Sequence, residues 1–71
     1  MPSTVLRSFT YRAETRELCV EFVSGRRYVY FDVPESVALA LRSAFGKGVY
    51  FNSRIRDRYA FRELSGEEHR S

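Results

Sequence analysis

Glu17 to Phe31 read ELCVEFVSGRRYVYF, and this stretch decides the fold because it contains two strands and the turn that joins them. Apolar and polar residues alternate from Glu17 to Val23, which is typical of a strand with one buried face. Ser24-Gly25 is a turn dipeptide, and a second strand follows from Arg26 to Phe31. The stretch therefore predicts an antiparallel β-hairpin.

The length of the turn decides which face of the hairpin carries Tyr28 and Tyr30. A two-residue loop, Ser24-Gly25, places both tyrosines on the outer face, where they would form a stacking platform. A three-residue loop that also includes Val23 places them in the core. The shorter loop requires a positive φ at Ser24, whereas the longer loop requires it only at Gly25, so the longer loop is favoured.

The sequence on either side of the hairpin predicts a further strand and an amphipathic helix. Val5 to Arg12 alternates loosely and forms the first strand of a meander. Pro34 suits the first position of a helix, and Gly46 suits a left-handed cap at its end. Leu39 is expected to be exposed, opposite an apolar face that packs on the sheet. The members of that face are Val37, Ala38, Leu41, Ala44 and Phe45.

A shorter second helix is predicted after a glycine turn, from Val49 to Arg56 or Asp57, with Phe51 and Ile55 facing inward. Tyr59 to Leu64 fits a short final strand. The predicted fold class is therefore α+β, with a small three-stranded antiparallel β-meander packed against an amphipathic helix. A short second helix and an optional short C-terminal strand complete it.

The chain has 71 residues, enough for one domain with a small core. Residues 1–64 are expected to form that domain, and the polar residues 65–71 a disordered tail. Cys19 is the single cysteine, which excludes an internal disulfide. No stretch resembles a signal peptide or a membrane helix. We therefore expect a cytoplasmic protein that does not act at a membrane.

The basic residues are concentrated in one part of the chain. From Arg42 to Arg62 there are six basic residues and a single acidic one, Asp57. All but one of the 12 basic residues are arginine, whose guanidinium group binds phosphate in a bidentate manner and stacks on rings. This distribution predicts a basic face that binds an anionic partner.

Gly46 to Tyr59 read GKGVYFNSRIRDRY, with arginines close to aromatic residues. If residues 49–58 are helical, Arg54 and Arg58 lie side by side, one turn apart. Either Asp57 then pairs with Arg54, or a phosphate binds between the two guanidinium groups. On the phosphate interpretation the candidate nucleic-acid-binding residues are Arg26, Arg27, Lys47, Tyr50, Asn52, Arg54 and Arg58.

Several of these candidates also have purely structural interpretations. Asn52 can bond to backbone groups and brace its turn. Arg26 and Arg27 can be solvated charges at the end of the hairpin. With RNA as ligand, Lys47 would add a phosphate contact and Tyr50 would stack on an unpaired base.

Catalysis has little support in the sequence. His69 lies in the polar tail, and Cys19 has no histidine partner that would activate it. No Cys/His cluster suits a metal ion, and Gly46 to Gly48 lacks the spacing of a nucleotide-binding phosphate loop. We therefore expect no enzyme activity, no metal and no cofactor.

The order and spacing of these motifs resemble the KTSC domain, which is named for its occurrence at the C-terminus of some lysyl-tRNA synthetases. The family also occurs as small stand-alone bacterial proteins. The resemblance runs from Val5 to Phe61, with departures at Gly46 and Ala60. It implies no established activity, and it suggests RNA binding. The residues that carry it are Leu18-x-Val20-x-Phe22-x-Ser24-Gly25-x-x-Tyr28-x-Tyr30, Val33-Pro34 and KGVYFNSRIRDRY.

Two functions are consistent with the sequence. The first is a small non-enzymatic domain that binds RNA or another nucleic acid through its Arg- and Tyr-rich basic face. The second is a protein-interaction or accessory module with no nucleic-acid ligand. Its basic face would bind an acidic protein partner, with Leu39 or a sheet edge supplying apolar contact, and a homodimer belongs to this second class. The sequence leaves the oligomeric state open.

Overall fold

The computed structural model describes residues 6–64 as an α+β domain of four strands and two helices. In chain order the elements are β1 (Leu6–Arg12), β2 (Glu17–Phe22), β3 (Arg27–Tyr30), α1 (Glu35–Ser43), α2 (Lys47–Arg54) and β4 (Phe61–Glu63). The predicted fold class is therefore confirmed. The expectations for Val5, for His69 and for a tail over 65–71 lie outside the described residues. No helix in residues 6–64 is long and apolar enough to cross a membrane.

The turn between β2 and β3 has the three-residue form that the sequence favours. Gly25 has a φ of 96°, and its N–H donates to the carbonyl oxygen of Phe22 at 2.8 Å. The resulting register pairs Val20 with Tyr28. Tyr30 follows on the same face and is only 3% exposed. The prediction that both tyrosines point toward the core layer is confirmed.

The optional final strand is present and extends the meander to a four-stranded sheet in the order β1-β2-β3-β4. In β4, Phe61 pairs with Tyr30 and Glu63 pairs with Tyr28. The Phe31 N–H also donates to Ala60 O at 2.9 Å, just outside the strands. Because β4 covers its free edge, β3 becomes an interior strand.

The core lies between one face of the sheet and the two helices. Leu41 of α1, Phe51 of α2 and Ile55 after α2 are all 0% exposed. Burying a side chain of this size contributes roughly 1.5–3 kcal/mol, so these contacts hold the helices on the sheet. The buried cluster comprises Leu18, Val20, Tyr30, Val33, Leu41, Phe51 and Ile55.

α1 begins one residue later and ends earlier than the sequence pattern predicts. Pro34 is the residue before the helix rather than its first position, and Ala44 is already extended, with a ψ of 143°. Phe45 is therefore outside the helix and 98% exposed, so its predicted place on the inner face is wrong. Gly46 is not a left-handed cap, since its φ is −105°, and it instead precedes the first residue of α2. Leu39 is 51% exposed, as predicted.

α2 begins and ends about one half-turn before its predicted bounds. After Arg54 the chain leaves the helix at Ile55, where φ is −119°. The next N–H, of Arg56, donates to Phe51 O at 2.9 Å. Phe51 and Ile55 both reach the core through this tightened turn, which then directs the chain toward β4.

A pair of hydrogen bonds joins the first hairpin to the connection between β3 and α1. The Tyr11 hydroxyl donates to Val33 O at 2.6 Å, and the Val33 N–H donates to Arg16 O at 2.9 Å. Asp32 has a φ of 62°, and its Oδ1 lies 3.6 Å from Arg16 Nε. The connection is thereby held against the turn that joins β1 and β2.

Gly25→Ala is expected to lower the free energy of unfolding by about 1–2 kcal/mol, because alanine is disfavoured in the left-handed region. The added Cβ would meet no atom within 4 Å, so the loss would come from the backbone alone. Urea denaturation measures it. The matched control is Gly46→Ala, whose Cβ would make an ordinary contact with Val49 at 3.7 Å. Because the φ of Gly46 is negative, the control should keep its stability or gain up to about 1 kcal/mol, and equal losses in the two variants would contradict our account of the turn.

Candidate functional site

The register of β2, β3 and β4 brings five aromatic rings together on the helix side of the sheet. Tyr28 and Tyr30 lie between Phe22 of β2 and Phe61 of β4. The Phe61 ring centroid is 5.3 Å from that of Tyr30 and 5.6 Å from that of Tyr28. Phe51 of α2 covers Tyr30 edge-on at 5.4 Å. The rings form one continuous apolar surface.

Beside these rings the surface opens into a cleft of about 490 Å³, which we call the aromatic cleft. Its volume lies within the range of roughly 300–1,000 Å³ that is typical of small-ligand sites. Phe51 at its base is 0% exposed, whereas Phe61 at its side is 52% exposed. The inner rings therefore belong to the core, while Phe61 presents ring surface to solvent. The lining residues are Phe22, Ser24, Arg26, Tyr28, Tyr30, Phe51, Arg56, Asp57 and Phe61.

Arg26 lies at the rim of the aromatic cleft, beside the hairpin turn. The interaction of its guanidinium group with the Tyr28 hydroxyl is the main reason that the pKa of Arg26 is raised. Glu63 contributes further, with its Oε2 3.8 Å from Arg26 Nη1. The Arg26 side chain is 63% exposed, so its guanidinium group remains accessible to a ligand.

Tyr30 provides a protonated hydroxyl at the base of the aromatic cleft. Burial raises the pKa of Tyr30 to about 12, with help from Tyr28 and Asp57 and against the opposing effect of Arg56. The hydroxyl therefore remains a hydrogen-bond donor at neutral pH. Arg56 and Asp57 also line the aromatic cleft, and the charges of both act on this hydroxyl.

Arg56 is held in place by Asn52. Its Nη1 donates to Asn52 Oδ1 at 3.1 Å, from the turn back to α2. The sequence suggests that Asn52 braces its turn by bonding to backbone groups. In the structure the Asn52 side chain instead accepts a bond from the side chain of Arg56. The aromatic cleft is thus lined by two arginines, Arg26 and Arg56.

The helical premise behind the Arg54–Arg58 pair is wrong. α2 ends at Arg54, and Arg58 lies in the following turn, where its N–H donates to Ile55 O at 3.0 Å. Arg54 instead lies over the Tyr50 ring, with its Cζ 5.9 Å from the ring centroid. The ion pairs within residues 6–64 do not include Asp57, so the alternative pairing of Arg54 with Asp57 is not formed either.

The remaining candidates are spread over the surface. Lys47 donates from Nζ to Ala44 O at 3.1 Å, across the junction of the two helices. Arg27 pairs in register with Glu21 on the outer face of the sheet. Arg26 and Arg27 therefore lie on opposite faces, although they are adjacent in sequence. Arg26 and Asn52 belong to or support the aromatic cleft, and Arg54, Arg58 and Lys47 lie along α2 and the turn after it.

The junction of α1 and α2 exposes apolar side chains. Phe45 is 98% exposed and Val49 is 73% exposed, and Leu39, in the middle of α1, is 51% exposed. Arg42 and Lys47 are exposed in the same part of the chain. We call the exposed apolar residues Leu39, Phe45 and Val49 the junction patch. They form the second surface feature of interest.

Sequence reasoning missed the residues that complete the aromatic cleft, namely Phe61, Arg56 and Asp57. The alternation of Tyr59 and Phe61 with the smaller or polar residues Ala60 and Arg62 was a signal for β4. The pairing of β4 with β3 was not readable, because the two strands are separated by both helices. Residues 6–64 hold no group of three His, Cys, Asp or Glu side chains that could share a metal ion.

Comparison with known proteins gives the family. The model of the KTSC domain family matches residues 2–59. A KTSC domain protein from Yersinia pestis, known from a crystal structure, is similar with a TM-score of 0.79 and 30% sequence identity, over 89% of each chain.

The curated relatives are lysine–tRNA ligases. A lysine–tRNA ligase from Nostoc punctiforme is 42% identical over 62 residues, and one from Trichormus variabilis is 37% identical over 60 residues. These matches cover 87% and 84% of this chain but only 11% of each ligase. The chain thus corresponds to a small accessory part of those proteins. Since both the family model and the structural neighbour match most of its length, the chain belongs to the KTSC domain family.

Proposed function

We propose that this domain binds single-stranded RNA, holding one unpaired base in the aromatic cleft. The observation that carries the proposal is the half-exposed ring of Phe61 in a cleft that Arg26 and Arg56 also line. Proteins recognise unpaired bases by stacking them on aromatic side chains, with cationic side chains on the neighbouring phosphates. The cleft combines these two kinds of contact in one place.

The other basic residues would extend the phosphate contacts beyond the aromatic cleft. Residues 47–58 contain Lys47, Arg54, Arg56 and Arg58 against Asp57 alone. A strand with one base in the cleft would pass over α2 and the turn after it. Arg54 over the ring of Tyr50 makes a flat surface on which a second base can rest. In this proposal Arg27 contributes only a distant charge, because it lies on the other face of the sheet.

The relatives support a ligand related to tRNA. The ligases named above act on tRNA by their names, and the domain forms 11% of each of them. An accessory domain that binds RNA would serve such an enzyme by increasing the local concentration of its substrate. For the chain described here the proposal is a non-enzymatic RNA-binding module in the cytoplasm, where its free thiol Cys19 would stay reduced.

Binding to RNA is expected to depend steeply on salt, because phosphate contacts release counterions. With three or four contacts, the affinity for a labelled ten-nucleotide RNA should fall by about tenfold or more between about 50 and 200 mM salt. Fluorescence anisotropy measures it. Arg54→Ala with Arg58→Ala should weaken binding at low salt, whereas Arg7→Ala with Arg12→Ala removes the same charge from β1 and should change it less. An equal effect of the two double variants would show that net charge alone is responsible.

Phe61→Ala is expected to weaken RNA binding by about 1–3 kcal/mol, the usual contribution of one base stacked on a ring. The measurement is the same anisotropy titration at low salt, with thermal unfolding to confirm that the variant is folded. Phe45→Ala is the matched control, since Phe45 is 98% exposed and lies outside the aromatic cleft. An unchanged affinity for RNA in Phe61→Ala would show that the aromatic cleft does not bind the base.

A second candidate function is favoured by the junction patch. A phenylalanine that is 98% exposed is unusual, and Arg42 and Lys47 lie nearby in sequence. The combination suits an acidic protein partner that also offers an apolar contact.

Under this second candidate, Leu39→Asp should abolish the capture of a partner protein because it places a like charge against an acidic surface. Affinity pull-down followed by mass spectrometry measures this, with Thr10→Asp on the outer sheet face as the control. RNA affinity should change little in Leu39→Asp. If both variants capture the same proteins as the unmodified chain, the junction patch is not the interface.

A further inference from the structure

We propose that the aromatic cleft selects guanine, and that Asp57 reads the base. This inference rests on the proposed function and deepens it, since it names the base that the cleft accepts. It concerns the one anionic group in a cleft whose other charged lining residues, Arg26 and Arg56, are cationic.

Asp57 is the side chain in the cleft that needs an explanation. A carboxylate beside a phosphate-binding surface repels the ligand unless it makes a specific contact. Within residues 6–64 the ion pairs leave Asp57 without a partner. An ionised carboxylate accepts hydrogen bonds at two oxygens and donates none, so its ligand must offer N–H donors.

Guanine is the base with two adjacent donors on its pairing edge. Its N1–H and its exocyclic amino group point the same way and match the two carboxylate oxygens. Adenine and cytosine each offer one amino group next to an acceptor nitrogen, and uracil offers one N–H between two carbonyl groups. A carboxylate therefore gains two bonds from guanine, and with each other base it faces at least one acceptor.

The donors beside Asp57 complete the match. Tyr30, whose hydroxyl is protonated at neutral pH, lines the aromatic cleft together with Arg56 and Asp57. Guanine O6 is an acceptor next to N1–H, so a donor adjacent to the carboxylate meets it. Arg56, which donates to Asn52 at 3.1 Å, is a second donor that lines the cleft. Arginine is the commonest partner of the acceptor atoms of guanine.

The exposed ring of Phe61 is consistent with this orientation. With its pairing edge toward residues 56 and 57, the base would lie against Phe61, whose ring centroid is 5.3 Å from that of Tyr30. Stacking tolerates every base, so Phe61 supplies affinity, while Asp57 and its neighbouring donors determine which base is bound. Selectivity and affinity are therefore carried by different residues and can be separated by substitution.

The experiment measures the affinities of the full chain for five labelled pentanucleotides by fluorescence anisotropy at about 50 mM salt. Four have a single G, A, C or U between pairs of uridines, and the fifth has inosine, which keeps N1–H but lacks the amino group. We expect G to bind about tenfold more tightly than A, C or U. Inosine should lose a large part of that preference.

Asp57→Asn tests the assignment directly, because the amide keeps the size of the side chain but has one acceptor oxygen. It also removes a negative charge, which strengthens the binding of every oligonucleotide, so the ratio of affinities for G and A is the quantity compared. The control is Asp32→Asn, which changes the charge equally at a residue outside the cleft. Asparagine also tolerates the φ of 62° at that position. The ratio should approach one in Asp57→Asn and stay unchanged in Asp32→Asn.

The outcomes separate this inference from the proposed function. Tight binding with no preference for G, or a preference that survives in Asp57→Asn, overturns the guanine assignment and leaves RNA binding in place. Absence of binding to all five oligonucleotides overturns both. A preference for G that disappears only in Asp57→Asn supports the assignment.

Discussion

The positive φ of Gly25 is the constraint on which the rest of the structure depends. It allows a three-residue turn, and that turn sets the register of β2 against β3. A strand register has a period of two, so a turn shorter by one residue would move Tyr28 and Tyr30 to the other face. The core would lose two aromatic rings, and the aromatic cleft would lose two of its lining residues. A single backbone angle thereby decides both the packing and the candidate site.

The same aromatic residues hold the fold together and form the candidate site. A domain this small buries only about 60% of the surface that its unfolded chain exposes, so it has few side chains to spare. Burial decreases outward from Phe51 through Tyr30 to Phe61. The inner rings give the outer ring a rigid support, and rigid support is what keeps a stacking surface in place. The polar groups of the cleft come from the hairpin turn and from the turn after α2, where they need not enter the core.

The local features of this fold were readable from the sequence, and the features that depend on distant contacts were not. The alternation around Val20 and the glycine at position 25 predict the hairpin and its register. The apolar period of α1 continues as far as Phe45, so it gives no sign that the chain becomes extended at Ala44. The pairing of Arg54 with Arg58 assumed an unbroken helix, but the burial of Ile55 tightens the turn instead. The aromatic cleft was not predicted because Phe61, which completes it, pairs with Tyr30, and both helices separate these two residues in the sequence.

The aromatic cleft is assembled from three segments that are far apart in the chain: the hairpin around Arg26, the end of α2 and β4. No one of these segments contains it, so the cleft exists only when the whole domain is folded. Any ligand of the cleft then binds the native state and not the unfolded chain, and it stabilises the fold in proportion to the logarithm of its concentration. For a short chain with a small core, folding and ligand binding are in this sense one coupled equilibrium.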